Sequence, residues 1–418
     1  MELSHYRSLP SELQIMPFQL RCMELIGLAG PKGRFYRFVL AFGWGTFVIL
    51  LPKSVLGIGS PRLDAIIKGF AELLFEGNLF IAVASLIPKL PLLKRLLHVL
   101  SEIFTQVTHD ARSKDQCYEL ICEQNSKIDK FCKFYFVYCC FGPFVFCIPA
   151  MVTSYVRYFG SAGNGTDSNE TEQLLFELPM EQEFYGLQIR TNFAHYHLFL
   201  AASLSAYCVC SYMSVIKVLT LLIMIKYSSL AYRLVAIRVR KLAELPVSGP
   251  KQNLEEVMDG GDELKMSMVK EVVDLHKKAL EVTDLVEEII NIPIAMQFIA
   301  CILFWCMTMF YVSTNINFNL FNVMVLFCLS LIETYGYSYL GTELTEEAKT
   351  VGQVIYELPW YEDSAQLQRY YRLMIQRTQQ NTGVTAAKFF IVGIEKFEKV
   401  VNLSYSYYLV LKDVLDSL

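Results

Sequence analysis

The stretch VIYELPWYED, residues 354–363, is polar and aromatic, and it has a proline in its middle. It precedes AAKFFIVGIEKFEKVVNLSYSYYLVLKDVL, residues 386–415, which is apolar enough to enter a membrane. The first stretch has the character of a folded cytosolic segment. The fold therefore depends on how often the chain crosses a bilayer and on which side each segment lies.

The composition of the whole chain favours a polytopic membrane protein. Of the 418 residues, 54% are hydrophobic and only 19% are charged, which is less charge than a soluble domain of this length carries. The net charge of −4 does not indicate a nucleic-acid partner, and the N-terminal stretch shows no cleaved signal peptide. The twelve cysteines include no CxxC pair, so we expect neither a zinc site nor a disulfide framework, and we predict no cofactor.

Seven apolar windows have about the length needed to cross a bilayer, which predicts an all-α protein with seven transmembrane helices. The windows are 37–58, 69–91, 131–157, 192–226, 290–312, 318–341 and 385–411. Glu72 and Glu76 interrupt the second window. The fourth window is longer than a crossing requires, so we expect its helix to project into water.

The distribution of lysine and arginine predicts the orientation of these helices. The N-terminus and the loops after the second, fourth and sixth windows together carry 27 of these residues, whereas the opposite side carries 6. The N-terminus is therefore predicted to be cytosolic and the C-terminus extracellular, the reverse of G-protein-coupled receptors. The external loop 158–191 contains the glycosylation sequons of Asn164 and Asn169, which agrees with this orientation.

Two cytosolic segments have the apolar spacing of helices. Residues 264–290 carry a sustained heptad seam that predicts a helix running into the fifth span, with Pro293 at the entry. The seam consists of Met268, Val272, Leu275, Ala279, Val282, Val286 and Ile289. In the second segment Val351, Val354, Ile355 and Leu358 form one apolar face, and another begins at Leu367 after Pro359. VIYELPWYED thus belongs to a short helical module before the last span, although a generic surface-lying amphipathic helix would have the same pattern.

The C-terminal third of the chain resembles the signature of insect odorant receptors. The matching elements are IYE-x-x-WY at 355–361, Tyr-Tyr-Arg-Leu at 370–373, the glutamine at 376, Thr-Ala-x-Lys-Phe-Phe at 385–390 and Ser-Tyr-Ser-Tyr at 404–407. Leu275-His276 before the fifth span is also similar, and the inverted topology extends the resemblance over the whole chain.

The resemblance implies a subunit of a ligand-gated, non-selective cation channel in the plasma membrane of olfactory sensory neuron dendrites. It implies that four subunits meet at a cytosolic anchor and at the seventh helix, and that each binds a volatile within its own bundle. The shared co-receptor of this family has a much longer fourth-to-fifth loop and a different C-terminal end. This chain is therefore similar to an odorant-specific subunit, which would require the co-receptor as a partner in a hetero-oligomer, a tetramer by this resemblance.

These expectations divide the chain into six parts. They are a cytosolic N-terminus (1–36), a ligand-binding bundle of four helices (37–226), a cytosolic loop and helix (227–290), the fifth and sixth spans (291–341), the cytosolic anchor helices (342–384) and the last span (385–418), which lines the pore.

The resemblance implies an odorant pocket in the outer half of the bundle, between the second, third, fourth and sixth spans. Helical spacing selects the residues there that could face inward. They are Phe70, Leu73, Leu74, Gly77, Ile148, Met151, Tyr155, His195, Tyr196, Phe199, Asn322 and Leu326. An apolar cavity rich in aromatic rings favours an aromatic or heterocyclic volatile. Plain core packing would explain each of these residues equally well, and no carboxylate at ligand spacing supports a metal at His195 and His197.

The last span has two adjacent stripes at helical spacing. Glu398, Asn402, Ser406, Leu409 and Asp413 are mostly polar, whereas Leu403, Tyr407, Val410 and Val414 are mostly apolar. A charge that faced lipid would be costly, so the polar stripe should face water or protein. The resemblance implies a hydrophobic gate at Val410 and Val414 and a polar filter position at Asp413, and a helix-packing face is the alternative.

Other classes of membrane protein fit the sequence less well. A secondary transporter could couple ions through Glu72 and Glu76, but no internal repeat is visible. The sequence contains no HExxH motif and no Ser-His or paired-acid arrangement at matching depth, so we do not predict an enzyme. A gustatory-type channel is a closer alternative, but its Thr-Tyr-x-x-x-x-x-Gln-Phe ending is absent.

Overall fold

The computed structural model describes residues 10–30, 32–56, 63–108, 115–163, 176–244, 258–314 and 319–416. The described ranges form ten α-helices, as predicted for an all-α protein. They are α1 (Pro17–Ile26), α2 (Phe35–Gly45), α3 (Leu63–Leu86), α4 (Leu90–Thr108), α5 (Gln116–Gly163), α6 (Phe193–Ala243), α7 (Met258–Thr314), α8 (Asn319–Glu357), α9 (Ala365–Thr378) and α10 (Ile394–Asp416). Two short strands, β1 (Thr385–Ala386) and β2 (Phe390–Ile391), form one antiparallel pair.

Five helices in the described part of the chain are long and apolar enough to cross a membrane. They are α5, α6, α7, α8 and the span Phe35–Leu56, in which π-helical turns extend α2. The bent pair of α3 and α4 raises this number to six. The amphipathic α10 is not among these helices, so the count of seven spans and the orientation of the termini stay predictions.

The second predicted span is the outer arm of a sharp bend. Helix α3 ends at Leu86, and α4 leaves at 67° after a break that contains Pro88. Proline favours a break at this point, because it lacks a backbone N–H and clashes with the preceding turn. The apolar face of α4 then packs into the half of the chain that is predicted to be cytosolic, where Leu96, Leu100 and Phe104 are buried.

The heptad seam lies on one continuous helix, as predicted. Helix α7 has 57 residues and passes through Pro293 without ending. Six of the seven seam residues are buried, and Met268 at the N-terminal end is half-buried. The seam faces α4 and α6 of the same chain, which means that its apolar spacing is explained by packing within one subunit.

Helix α6 is the central element of the predicted cytosolic half. Nearly every residue from Met213 to Val239 is buried, and this explains why the fourth apolar window is longer than a bilayer requires. Several ion pairs join α6 to α8. Among them, Lys226 Nζ lies 2.7 Å from Glu343 Oε1, and Arg233 Nε lies 2.6 Å from Glu347 Oε1.

The VIYELPWYED segment lies in a compact helical module, as the apolar spacing predicts. Val351, Val354 and Ile355 are buried on the last turns of α8, and Leu358 is buried directly after its end. Pro359 ends this helix, a 3₁₀ turn follows at Trp360–Glu362, and α9 returns with Leu367 buried against α8.

The last helix begins later than the predicted window 385–411. Residues 385–391 form a β-hairpin in which Thr385 is paired with Ile391, and Ala387 and Lys388 adopt positive φ angles of 46° and 64°. Left-handed φ is uncommon for residues other than glycine. Apolar spacing does not indicate such a turn, so it predicts a helix here. The hairpin packs directly on α8: a Cβ added at Gly341 would lie 2.5 Å from the carbonyl oxygen of Val392.

Candidate functional site

A strap of non-helical chain, residues 176–192, lies against the end of the bundle where α5 ends and α6 begins. Its backbone folds back on itself, with the Phe176 N–H donating to the carbonyl of Arg190 over 2.8 Å. The side chains of Phe176, Leu178, Met180 and Phe184 are buried. The strap therefore contributes apolar side chains to the core at this end of the bundle.

The two predicted pocket aromatics on α6 pack against the strap. Tyr196 stacks on Phe176 with a centroid separation of 4.8 Å, and Phe199 makes an edge contact with Phe184 at 5.1 Å. Both α6 rings are fully buried. This places Tyr196 and Phe199 beneath the strap, at the end of the bundle where the pocket is expected.

A hydrogen bond joins Tyr155, a predicted pocket residue on α5, to His197 on α6. The hydroxyl of Tyr155 lies 2.6 Å from Nε2 of His197, and the carbonyl of Phe193 lies 2.7 Å from Nδ1 of the same ring. His195 accepts a hydrogen bond from the backbone N–H of Gln188 and so holds the strap. His197 is thus the histidine joined to the Tyr155 side chain. In the part of the chain that the structure describes, no group of His, Cys, Asp and Glu has the arrangement of a metal site.

The remaining predicted residues differ in burial. Asn322 and Leu326 of α8 are buried, and Leu73, Leu74, Gly77 and Met151 are half-buried. Phe70 and Ile148 are 45% and 46% exposed. These two are on the outer surface of the single chain and not among the buried residues, because helical spacing identifies a face without saying which neighbour covers it.

There is open space beside Gly77. A Cβ added at this residue would meet no atom within 4 Å. The carboxamide of Asn322 lies on the opposite helix, where its Nδ2 donates to the carbonyl of Phe146 over 3.2 Å.

A buried cluster of charges lies beside this region, and sequence reasoning missed it. Lys53 Nζ lies 2.9 Å from Glu72 Oε2 and 2.8 Å from Glu76 Oε2. Lys68 lies 3.8 Å from Glu72 and 3.6 Å from Glu181. Glu181 on the strap also binds Arg190 at 2.6 Å, and its N–H donates to Glu72.

This charge cluster explains why two carboxylates interrupt the second apolar window. The three cations Lys53, Lys68 and Arg190 match the three anions Glu72, Glu76 and Glu181. Paired charges of this kind hold the strap to α3 and to the end of the first span. The ion-coupling role that a transporter would require of Glu72 and Glu76 has no support here, because both carboxylates are bound internally.

A second polar network crosses the middle of the bundle. Lys217 of α6 lies 2.6 Å from Glu333 of α8, and it also donates to Gln297 of α7. Asn78 of α3 donates to the same Gln297 oxygen over 2.5 Å. One network thus connects the four helices α3, α6, α7 and α8.

Helix α10 buries one face and exposes the other. Val400 and Ser404 are buried, and Phe397 contacts Trp305 of α7 and Tyr335 of α8. The opposite face carries both predicted stripes. All nine stripe residues are exposed: Glu398, Asn402, Ser406, Leu409, Asp413, Leu403, Tyr407, Val410 and Val414. The structure therefore brings the predicted gate and filter residues onto one outward face. The sequons of Asn164 and Asn169 lie outside the described residues.

Comparison with known proteins gives consistent results. A family profile described as "7tm Odorant receptor" matches residues 70–405. Putative odorant receptor 92a of Drosophila melanogaster is 24% identical over 160 residues, which are 38% of this chain and 39% of that protein. The odorant receptor coreceptor of Anopheles gambiae is 27% identical over 104 residues, 24% of this chain and 22% of that protein. The matches thus span about two fifths or less of these relatives.

The fold matches over a much longer range. The olfactory receptor OR5 of Machilis hrabei, solved in complex with eugenol, superposes with a TM-score of 0.70 at 11% identity, covering 97% of this chain and 100% of that one. A second structure of the same receptor gives 0.69 at 13% identity. At these identities the similarity concerns the fold.

Proposed function

The chain belongs to the 7tm odorant receptor family, and on that premise we propose that it is the odorant-specific subunit of an odorant-gated, non-selective cation channel. The family is one of membrane receptors, so the chain is a multi-pass membrane protein and not an enzyme, as predicted. Putative odorant receptor 92a is not a coreceptor, and similarity to it favours the odorant-specific role.

The exposed face of α10 is the observation that carries this proposal. A helix that is buried on one side and exposes asparagine, serine and aspartate on the other is poorly suited to lipid, because polar groups in hydrocarbon are costly. If four such helices surrounded a water-filled path, water would hydrate these polar side chains. Val410 and Val414 would form a narrow apolar ring that closes by dewetting, and Asp413 would attract cations near the outer mouth.

The ligand of this channel is proposed to be a small aromatic or heterocyclic volatile. Tyr196 and Phe199 pack against the strap, and Tyr155 is hydrogen-bonded to His197 on the same helix α6. Aromatic rings bind flat, polarisable molecules well. The OR5 receptor has been solved with eugenol, an aromatic volatile, and this supports the same class for a chain of the same fold.

The partner is proposed to be the odorant receptor co-receptor, in a heterotetramer of the dendritic plasma membrane of olfactory sensory neurons. Similarity to coreceptors from several insects supports a shared mode of assembly. In this orientation the end of α8, α9, the hairpin and the first part of α7 are cytosolic. They carry exposed apolar side chains, among them Tyr356, Leu373 and Phe389, which is 86% exposed, and contact with neighbouring subunits would cover them.

The experiment that tests this function is whole-cell recording from cells expressing the chain with the co-receptor, the chain alone or the co-receptor alone. We expect volatile-evoked cation currents with the pair only. Equal currents from the chain alone would remove the need for a partner. A pair that reaches the cell surface and conducts no volatile-evoked current would contradict the proposed function.

A further inference from the structure

Several buried polar side-chain atoms have no hydrogen-bond partner among the described residues, and three of them are on the parts of α6 and α8 that lie toward the predicted outer side. They are Ser203 Oγ and Tyr207 Oη on α6 and Asn322 Oδ1 on α8. Ser203 is fully buried and Asn322 is 2% exposed. The ring of Tyr207 is half-buried, but its hydroxyl is enclosed. Polar groups in a protein interior are normally paired, and an exception requires an explanation.

Tyr207 and Asn322 meet around a common neighbour, Phe146 of α5. The rings of Phe146 and Tyr207 are in contact, with a centroid separation of 5.3 Å. The Asn322 amide donates to the carbonyl of Phe146. Only the NH₂ group can donate to a carbonyl, so this bond fixes the amide orientation and leaves Oδ1 as the open acceptor.

Ser203 extends the same polar surface by one helical turn. It precedes Tyr207 by four residues, and side chains at this spacing lie on one face of a helix. Some charged side chains nearby are paired with each other, since Lys53 donates hydrogen bonds to both Glu72 and Glu76. Lys53, Glu72 and Glu76 are thus bonded to one another, whereas the hydroxyls of Ser203 and Tyr207 and the amide oxygen of Asn322 are left open.

We propose that Ser203, Tyr207 and Asn322 form a hydrogen-bonding subsite that takes the hydroxyl group of a volatile alcohol or phenol. The hydroxyls of Tyr207 and Ser203 donate to the ligand oxygen, and Asn322 Oδ1 accepts the ligand O–H. A ketone can use the two donors only, and a hydrocarbon can use none. The subsite therefore ranks alcohols above ketones of the same shape, and ketones above hydrocarbons. This inference rests on the proposed function, because it specifies the ligand of the same pocket.

The test uses volatiles matched in size that differ in one oxygen. Cells expressing the chain with the co-receptor are given 2-phenylethanol against propylbenzene, 1-octanol against nonane, and acetophenone against cumene. Recorded currents give the potency of each volatile. We expect each oxygenated member to be at least tenfold more potent than its hydrocarbon partner, with the alcohols showing the larger ratios.

Two conservative variants test whether the hydroxyls of Tyr207 and Ser203 bind the ligand. Tyr207→Phe and Ser203→Ala each remove one hydroxyl and keep the rest of the side chain. Each should lower the potency of the alcohols severalfold, toward that of the hydrocarbons, and leave the hydrocarbons unchanged. Tyr227→Phe is the matched control on the same helix, because the Tyr227 hydroxyl donates to Asn125 in the cytosolic half. It should leave every alcohol-to-hydrocarbon ratio as it is.

Thermal unfolding of the purified ligand-free receptor gives a second readout. Removing an unpaired hydroxyl should leave the Tm of Tyr207→Phe equal to or above that of the unchanged chain, whereas Tyr227→Phe loses a paired hydroxyl and should unfold earlier. A lower Tm for Tyr207→Phe would mean that its hydroxyl is bound within the protein, and this would overturn the subsite.

The remaining outcomes distinguish a failure of the subsite from a failure of the proposed function. Equal potency of alcohols and hydrocarbons, an equal shift of both in Tyr207→Phe, or silence toward all six volatiles overturns the subsite. The proposed function is judged separately, by whether any volatile outside this panel evokes a current that requires both subunits.

Discussion

The ammonium nitrogen of Lys265, near the start of α7, lies 2.5 Å from Oδ1 of Asp363, the last residue of VIYELPWYED. The two side chains are 5% and 3% exposed. The pair therefore joins two segments that are 98 residues apart within a buried part of the predicted cytosolic module. This ion pair fixes the position of the segment that precedes the last helix.

Breaking this pair should destabilise the module. Asp363→Asn leaves the Lys265 charge buried without its counter-ion, and such losses typically cost about 3–5 kcal/mol. We expect a lower Tm and less receptor at the cell surface. Glu362→Gln is the control, because it removes the neighbouring carboxylate at an exposed position. If both variants unfold at the same temperature, the pair does not stabilise the module.

The stability of the module should also depend on pH through His276. Burial lowers the pKa of this imidazole to about 4 from an ordinary 6.5, and the charge of Arg377 adds to the effect. His276 precedes the apolar window 290–312, and its ring makes an edge contact with Tyr232. Because the unfolded chain binds the proton more readily, the free energy of unfolding should fall as pH drops from 6.5 toward 4, by up to about 3 kcal/mol.

The measurement is the Tm of the purified receptor between pH 7 and pH 4. His276→Leu should lose less stability over this range than the unchanged chain. His98→Leu serves as control, since the imidazole of His98 is 57% exposed, and it should keep the full pH dependence. Identical slopes for all three proteins would assign the dependence to other groups.

The contact between Gly341 and the hairpin predicts a specific steric effect. In Gly341→Ala the new Cβ would lie 2.5 Å from the Val392 carbonyl oxygen, so the hairpin must move away from α8. We expect a loss of about 1–3 kcal/mol in stability and weaker volatile-evoked currents. Gly336→Ala on the same helix is the control, because its Cβ would lie 3.4 Å from the nearest atom, Leu222 Cδ2. Normal currents in Gly341→Ala would show that the hairpin position has no role in gating.

The predicted orientation can be tested with a tag inserted at residue 250. The charge distribution predicts that this loop is cytosolic, so antibody should reach the tag only after the cells are permeabilised. Asn164→Gln and Asn169→Gln should each reduce the apparent mass if their sequons are glycosylated outside. Antibody binding at residue 250 on intact cells would contradict the orientation.

The elements predicted from the sequence are those whose apolar spacing is local. The seam from Val272 to Ile289 and the face from Val351 to Leu358 are buried as expected, because a helix periodicity is visible within a few turns. The outward face of α10 follows from the same reasoning, since its stripes are three and four residues apart.

The features that were missed depend on long-range pairing. Glu72 and Glu76 appear in the sequence as interruptions of a span, and the cation that binds both, Lys53, lies on another span. The hairpin at 385–391 requires left-handed backbone at Ala387 and Lys388, which apolar spacing does not indicate. The subsite around Phe146 is defined by missing partners, and these can be recognised only once the neighbours of each side chain are known.

The central claim is that α10 lines a cation pore, and the permeability of Asp413→Asn tests it most directly. The exposed Asp413 lies beside Val414, at the end of the polar stripe. Its carboxylate should raise the local cation concentration through a field that salt screens over roughly 10 Å at 0.1 M. Val410→Ala is the companion variant, because a smaller apolar ring should raise the current that leaks without a volatile.

The measurement is the calcium-to-sodium permeability ratio of volatile-evoked currents at low ionic strength, with volatile potency in the same cells as internal control. For Asp413→Asn we expect a modestly lower ratio and unchanged potency, because only this subunit, and not the co-receptor, need supply the charge. An unchanged ratio together with altered potency would contradict the account and identify the polar stripe of α10 as a packing face.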